Sequence, residues 1–565
     1  MPVIHHGSDE GLRNTSNAPQ REQRAALMVP ADVQRTICQA IRRNGGDWQN
    51  NMYHLALTCK AYNASALDAL WERLYTIWPL LTLMYSFKIK KNAKTGEVQA
   101  TAPMEYNGED WRRFARYSAR VRFLTHREDL APLDLALVLA ITSHMPDHSL
   151  VPGLRRLTWR LGPTNQVDSM LCLREFTFRH LECLEISWPD DLPRSIPSML
   201  GALPESAPQL RRLRLSNIFS MKDRFLEPLA RLQHLETLEL DTLDDSQFEE
   251  LYTCVRNIKR LAIGFCETDL HVIQATGIFP RLEELTLAES FSRETTPMIT
   301  HLGSTSLRRL TKLSKYEVAS LRDVWSLFTA LSPRFASTLT DIRITMHFLA
   351  SSEELGPDPP QLMRSLEPLL DLTKLQTFEL AVHHELDNFV PEFHDADLHA
   401  ILLAWPHIER LSLLVQFKGL TTDSLVQVAR QCNRLEDLRL WRICISSDLD
   451  IAATSSACLP GLRALQVRYY ESLPSTDELY ARFLTRLFPN AEVDLPDDVK
   501  GSPAASRRHA SPITDGEEDD DAEVHTSDSD GDDLPLDVAD IVSDTEGEET
   551  LLRLYEESQI LISDA

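Results

Sequence analysis

The chain has 565 residues, 43% of them hydrophobic, enough for a large core plus accessory segments. Nine cysteines, an odd number with no C-x-x-C, exclude a disulfide framework or a zinc ribbon and fit buried thiols in a reducing compartment. The formal charge of −26 is concentrated near the C-terminus, since residues 515–549 hold seventeen Asp or Glu and no Lys or Arg.

Residues 1–24 are polar and expected to be disordered. The first 28 residues lack the charged-then-apolar pattern of a secretory signal. Apolar runs such as Leu135–Ile141 are far too short to span a bilayer. A first helix is expected after Val29-Pro30, because proline suits a first helical turn, with Val33, Ile37 and Ile41 on one stripe. The polar insert Asn44–Asn51 should separate it from a second helix, which the pair Cys59-Lys60 closes. Asn63 opens a third, with Leu67, Leu70, Trp71 and Leu74 at i, i+3, i+4 and i+7. Three short helices bury little core by themselves, so the unit must pack on a neighbour or offer its apolar face to a partner.

Val29-Pro30, the spaced Val33, Ile37 and Ile41, the stretch Leu55, Cys59, Lys60 and Tyr62, and the helix carrying Leu67 and Trp71 resemble an F-box, the small helical module that binds a Skp1-type adaptor. CKAY…LDALW is the specific part and is similar to the F-boxes of fungal leucine-rich proteins. Val stands where the family has its leading Leu, and the insert at Asn44–Asn51 is a second departure. The resemblance implies an adaptor-binding surface built from Pro30, Val33, Ile37, Leu55, Cys59, Leu67, Leu70 and Trp71, within a module spanning residues 25–75.

Residues 76–115 are expected to be a linker helix and loop, with Lys88–Gly108 the flexible part. The basic run KIKKNAK at its start is too short to argue for nucleic acid or a membrane.

From 116 to 495 the chain repeats L-x-x-L-x-L, and such a repeat decides the fold. The pattern runs through Leu154-RR-Leu157-T-Trp159, Leu181-EC-Leu184-E-Ile186, Leu210-RR-Leu213-R-Leu215, Leu235-ET-Leu238-E-Leu240, Ile258-KR-Leu261-A-Ile263 and Leu282-EE-Leu285-T-Leu287. It resumes at Leu339, Leu375, Ile408, Leu435 and Leu462. Starts between 154 and 282 are 27, 29, 25, 23 and 24 residues apart, inside the leucine-rich-repeat range. Positions four and six point to one side of a short strand because side chains alternate. Segments such as Phe248-EE-Leu251-YTC-Val255 then return as helices, and stacked units bury a common core. Val121 is read as a degenerate first unit and Val493 as a last one. The unit at Leu307-RR-Leu310-T-K-Leu313 breaks the spacing and should carry a bulge or an irregular strand, and the extra residues of the longer spacings after it should be loops, notably Ser351–Gln361 and His383–Asp397. The expected fold class is α+β overall: a small all-α module, then an α/β leucine-rich-repeat solenoid or horseshoe, then a disordered acidic tail over 496–565.

No phosphate-binding loop, H-E-x-x-H or G-x-S-x-G occurs, so neither a metal nor a cofactor is implied. His383-His384-Glu385 reads as a surface loop, because adjacent side chains diverge. In the tail, Ser527, Ser529 and Ser543 precede acids, the context favoured by acid-directed kinases. Residues flanking the inward Leu pairs should face the concave side, which makes Arg156, Arg160, Arg212, Arg214, Arg439 and Trp441 candidates for substrate contact. The resemblance implies a non-catalytic receptor subunit of an SCF-type ubiquitin ligase, joined through a Skp1-like adaptor to a cullin core, in cytoplasm or nucleus. Two other readings share the repeats and the tail: a binder of histones and other basic proteins, and a GTPase-activating protein of the RanGAP type.

Overall fold

The structure is a computed structural model. It describes residues 29–43, 48–58, 60–84, 88–91, 98–101, 108–127, 135–145, 149–161, 171–173, 176, 178–188, 196–218, 225–265, 276–288, 292–313, 321–348, 361–384, 391–445, 457–471 and 477–494. The chain divides into two compact units, Met1–Leu181 and Glu182–Ala565.

In the first unit, Pro30 precedes α1 (Ala31–Arg43), and its carbonyl accepts the first helical bond from the Gln34 N–H at 3.0 Å. Helix α2 (Trp48–Thr58) begins inside the stretch expected to be a polar insert, because Trp48 packs against the small core and Arg42 lies 5.1 Å over its ring. Helix α3 (Asn63–Trp71) starts where the periodicity placed it, and the Asn63 amide donates to the Ala56 carbonyl at 2.8 Å, tying α3 to the end of α2. The core of the three helices is Cys38, Met52, Ala56 and Ala66, with Ile41, Leu55, Leu67 and Leu70 packed around it. Most of these side chains are small or half-buried, as expected for so short a unit.

Next come β1 (Arg73–Leu74), α4 (Trp78–Thr82), β2 (Lys88–Lys91), β3 (Val98–Thr101), α5 (Gly108–Ser118), β4 (Phe123–Arg127), α6 (Leu135–His144) and β5 (Arg156–Arg160). Strands β2 and β3 pair antiparallel, so a hairpin stands in the segment expected to be a loop. Strands β1, β4 and β5 pair in parallel, with Leu74 beside Leu124 and Leu124 beside Leu157. Val121 and Leu124 are buried, so the degenerate unit there is a full repeat.

The second unit repeats one arrangement. Its strands are β6 (Cys183–Ser187), β7 (Arg212–Ser216), β8 (Thr237–Leu243), β9 (Arg260–Phe265), β10 (Glu284–Ala288), β11 (Arg309–Leu313), β12 (Asp341–Phe348), β13 (Thr377–His384), β14 (Arg410–Leu414), β15 (Asp437–Cys444), β16 (Ala464–Glu471) and β17 (Glu492–Asp494). They lie side by side in chain order, all parallel. Among the returning segments are α7 (Ile196–Ser206), α8 (Asp245–Cys254), α9 (Ser292–His301), α10 (Leu321–Phe335), α11 (Leu362–Leu366), α12 (Asp395–Ala404), α13 (Thr422–Gln431) and α14 (Asp477–Leu487). This is an α/β leucine-rich-repeat solenoid.

Local sequence explains the joints. Asp244 and Gln247 form a reciprocal capping box that starts α8 one residue after β8 ends. Asn217, with φ of 63°, donates its N–H to Asp241 at 3.1 Å, while its carbonyl accepts from the Trp188 indole at 2.8 Å. In β9, Gly264 lies so close to its neighbours that an added Cβ would sit 2.6 Å from the Asp241 carbonyl oxygen and 3.0 Å from that of Ala288.

Two expectations about the second half change. The unit at Leu307 is regular: β11 pairs residue for residue with β10 and β12. Lys312 takes the sixth position there, fully buried between Leu287 and Ile344, and Leu313 is on the outside. A lysine in an apolar slot disguised an ordinary repeat. Fifteen residues of the long spacing that follows form the helix α10. In 383–397, His383 and His384 end β13, and Glu392 bridges to Gln361 and Lys418 ahead of α12. Most of 351–361 and residues 385–390 lie outside the described residues, as do residues 1–28 and the tail.

Candidate protein-binding surfaces

The α1 helix is turned opposite to ordinary amphipathic practice. Its buried residues are Gln34 and Cys38, whereas Val33 is 45% exposed and Ile37 37% exposed. Gln34 is satisfied inside: its amide donates to the Val29 carbonyl at 2.7 Å, and the Ser65 hydroxyl donates to its Oε1 at 3.1 Å. Pro30, Val33 and Ile37 therefore form an apolar stripe that the module's own core does not cover. Of that predicted stripe, Ile41 turns inward onto the helical core.

The other predicted adaptor residues are placed differently. Leu55, Leu67 and Leu70 are half-buried against the core of the three helices. Trp71 is half-buried with its ring 4.8 Å from that of Tyr117. Cys59 lies outside the described residues. Burial, and next the Asp68 charge, push the Cys38 thiol up; burial pushes Cys432 to about 11, so neither supplies a thiolate.

On the solvent side of the second unit's sheet, side chains line up in rows across the strands. The first row reads Arg212, Thr237, Arg260, Glu284, Arg309, Asp341, Thr377, Arg410 and Asp437. Alternating charges on adjacent strands pair with one another. Glu239 takes Arg212 at 2.6 Å and Arg214 at 3.7 Å. Farther along, Arg260, Glu284, Arg309, Asp341, Arg343 and Glu379 form an unbroken chain, with steps of 3.5, 3.5, 3.6, 3.1 and 3.8 Å. Arg439 pairs with Asp437 of its own strand at 3.0 Å. Such pairing leaves little net charge for a partner to read.

The predicted substrate residues of the second unit fall in two separate places. Arg156 and Arg160 are exposed on β5 of the first unit. Arg212 and Arg214 are held by Glu239 on β7 and β8, and eight strand intervals, roughly 38 Å, separate β7 from β15. Arg439 and Trp441 share the solvent side of β15. Trp441 is half-buried, with the Arg468 guanidinium 4.7 Å over its ring and Tyr469 at 5.0 Å. Arg468 and Tyr469 were not singled out from sequence. The signal was available: Arg468 follows Val467 at the position where Trp441 follows Leu440.

Among the described residues no group of three His, Cys, Asp or Glu could hold a metal ion, and no helix is long and apolar enough to cross a membrane. Glu385 is outside the described residues, and Ser527, Ser529 and Ser543 are as well. No family model matches the sequence, and no curated protein is significantly similar. Solved structures similar to this chain include the complex of Rad7 and Elc1 in yeast, with TM-score 0.32 and 14% identity over 81% of this chain and 94% of that one. They also include a leucine-rich-repeat protein of Leptospira interrogans, with TM-score 0.28 and 14% identity over 64% of this chain and 98% of that one.

Proposed function

We propose that this protein is a non-catalytic substrate receptor of an SCF-type ubiquitin ligase. The Pro30–Val33–Ile37 stripe holds a Skp1-like adaptor, which joins the chain to a cullin core, in cytoplasm or nucleus. The solvent side of the solenoid sheet holds the protein substrate near a recruited ubiquitin-conjugating enzyme, so the mechanism is proximity. The single observation carrying this reading is the inversion of α1. A helix that buries a glutamine and exposes a Val–Ile pair one turn apart has its apolar side turned toward something else. The resemblance of CKAY…LDALW to F-boxes supports a Skp1-like adaptor as that partner.

Substrate contact is best supported at Trp441, Arg468 and Tyr469, because aromatic and arginine side chains dominate protein interfaces and the Arg–acid ladder is already internally paired.

The test is co-purification with a Skp1-like adaptor. Val33→Ala/Ile37→Ala should weaken adaptor capture by about 2 kcal/mol, roughly thirtyfold, with stability changed by under about 0.5 kcal/mol per site. Truncating Leu67, Leu70 and Trp71 is a poorer probe, since those side chains also hold the module together. Undiminished capture by the folded double variant would falsify the adaptor assignment.

A further inference from the structure

The residues just before β7–β10 alternate in charge, Arg211, Glu236, Lys259 and Glu283, but one cleft among them is lined by more cations than acids. Arg211, His234, Lys259 and Arg281 line a cleft of about 170 Å³ in which Glu236 is the single acid among the lining residues. Lys259 pairs with Glu236 at 2.7 Å. Among the described residues, neither Arg211 nor Arg281 has an ion-pair partner, and both are exposed. Three permanent cations thus face one carboxylate, with two guanidinium groups left to bind acceptors.

The same chain carries the complementary charge. Residues 515–549 hold seventeen acids and no Lys or Arg. Twenty residues, 495–514, separate the last strand from that run, a reach of up to about 66 Å when extended. The cleft lies seven to ten strand intervals from β17, roughly 34–48 Å along the sheet. Tethering makes the encounter intramolecular, so weak individual contacts suffice.

We infer that the cleft formed by Arg211, Lys259 and Arg281 is a docking site for carboxylate-rich peptide, and that its occupant is the chain's own acidic segment 515–549. The inference is independent of the adaptor reading. It also places the tail away from the solvent side of the sheet, where the arginines of the ladder already have carboxylates.

Lys259 offers a direct readout on the full-length chain. A carbodiimide joins a carboxylate to an amine as an amide with loss of water, and only for groups in contact. In dilute protein at low salt, peptide mapping of the monomer band should find Lys259 joined to carboxylates of 515–549. In R211E/R281E that product should be lost, with Lys259 joined to Glu236 instead. Replacing the tail acids by their amides should give the same exchange without touching the solenoid. Raising the salt to about 0.5 M, where the screening length is about 4 Å, should also reduce it. If Lys259 couples only to Glu236 in the unaltered protein, or if the tail product survives both sets of substitutions, the site is wrong. A tail product confined to the dimer band would overturn the intramolecular assignment.

Discussion

The three-helix module and the solenoid dispose of apolar and polar groups in opposite ways. In the solenoid, positions four and six of each strand are buried almost without exception, and the charges between them find partners on adjacent strands. In α1, a Gln is inside and a Val and an Ile are outside. The contrast locates unused binding capacity. The ladder part of the sheet, whose charges are mutually paired and whose Leu residues are covered, has little left to offer, unlike the cluster of Trp441, Arg468 and Tyr469. A helix with uncovered aliphatic side chains gains when a partner covers them, at about 25 cal/mol per Å² of apolar surface.

The largest expected effect sharpens that contrast by applying to the solenoid the truncation already proposed for α1. Phe378 is fully buried, with Trp405 at 4.9 Å and Phe328 at 6.4 Å between ring centres. Phe378→Ala should cost about 3–5 kcal/mol of stability, because stacked repeats share one core and cannot close the cavity locally. Chemical denaturation of Phe378→Ala beside Ile37→Ala tests both ends of the comparison. Similar losses would mean that Ile37 is a core residue and that α1 is not inverted.

A smaller effect comes from the backbone spacing of the repeats. At Gly264→Ala, the new methyl would meet two backbone carbonyl oxygens, which cannot rotate aside as a side chain would. The cost should be about 1–3 kcal/mol, read as a lowered denaturant midpoint. No loss would show that the strands around β9 can spread, and that the rows of paired charges are less fixed than their register implies.

The regions also differ in how much the sequence revealed. Repeat starts were legible because strand periodicity and a 23–29-residue recurrence reinforce each other over many copies. Where one residue departed, as at Lys312, the pattern broke although the strand did not, because a solenoid slot is defined by its neighbours on both sides. The two-residue β1 and the β2–β3 hairpin were missed, being too short for any period to emerge. The Val33–Ile37 stripe was visible, but its direction was not. A helical stripe says which residues lie together, and only tertiary packing says whether they face in. Pairing was hidden for the same reason: Arg212 and Glu239, or Arg309 and Glu284, meet only once the register between strands is known.

The smallest effect tests whether paired charges contribute as little stability as this comparison requires. The Lys259 ammonium, hydrogen-bonded to Glu236 and adding its charge, holds that carboxyl below its ordinary range; the Arg211 and Arg260 charges lower it further, against a modest desolvation. A lowered carboxyl pKa favours the folded state at pH values above the unfolded pKa. That contribution is lost as pH falls through the folded value. Both side chains are more than 40% exposed, so the pair should be worth no more than about 0.5 kcal/mol after solvent screening. Glu236→Gln should therefore be slightly less stable than the unaltered protein near neutral pH. The difference should vanish at acid pH, where Glu236 is protonated, and shrink with added salt. Denaturant midpoints of both proteins across that range measure it. A difference above about 1 kcal/mol, or one that persists at acid pH, would mean that these pairs anchor the repeats. The solenoid's charges would then belong with its core.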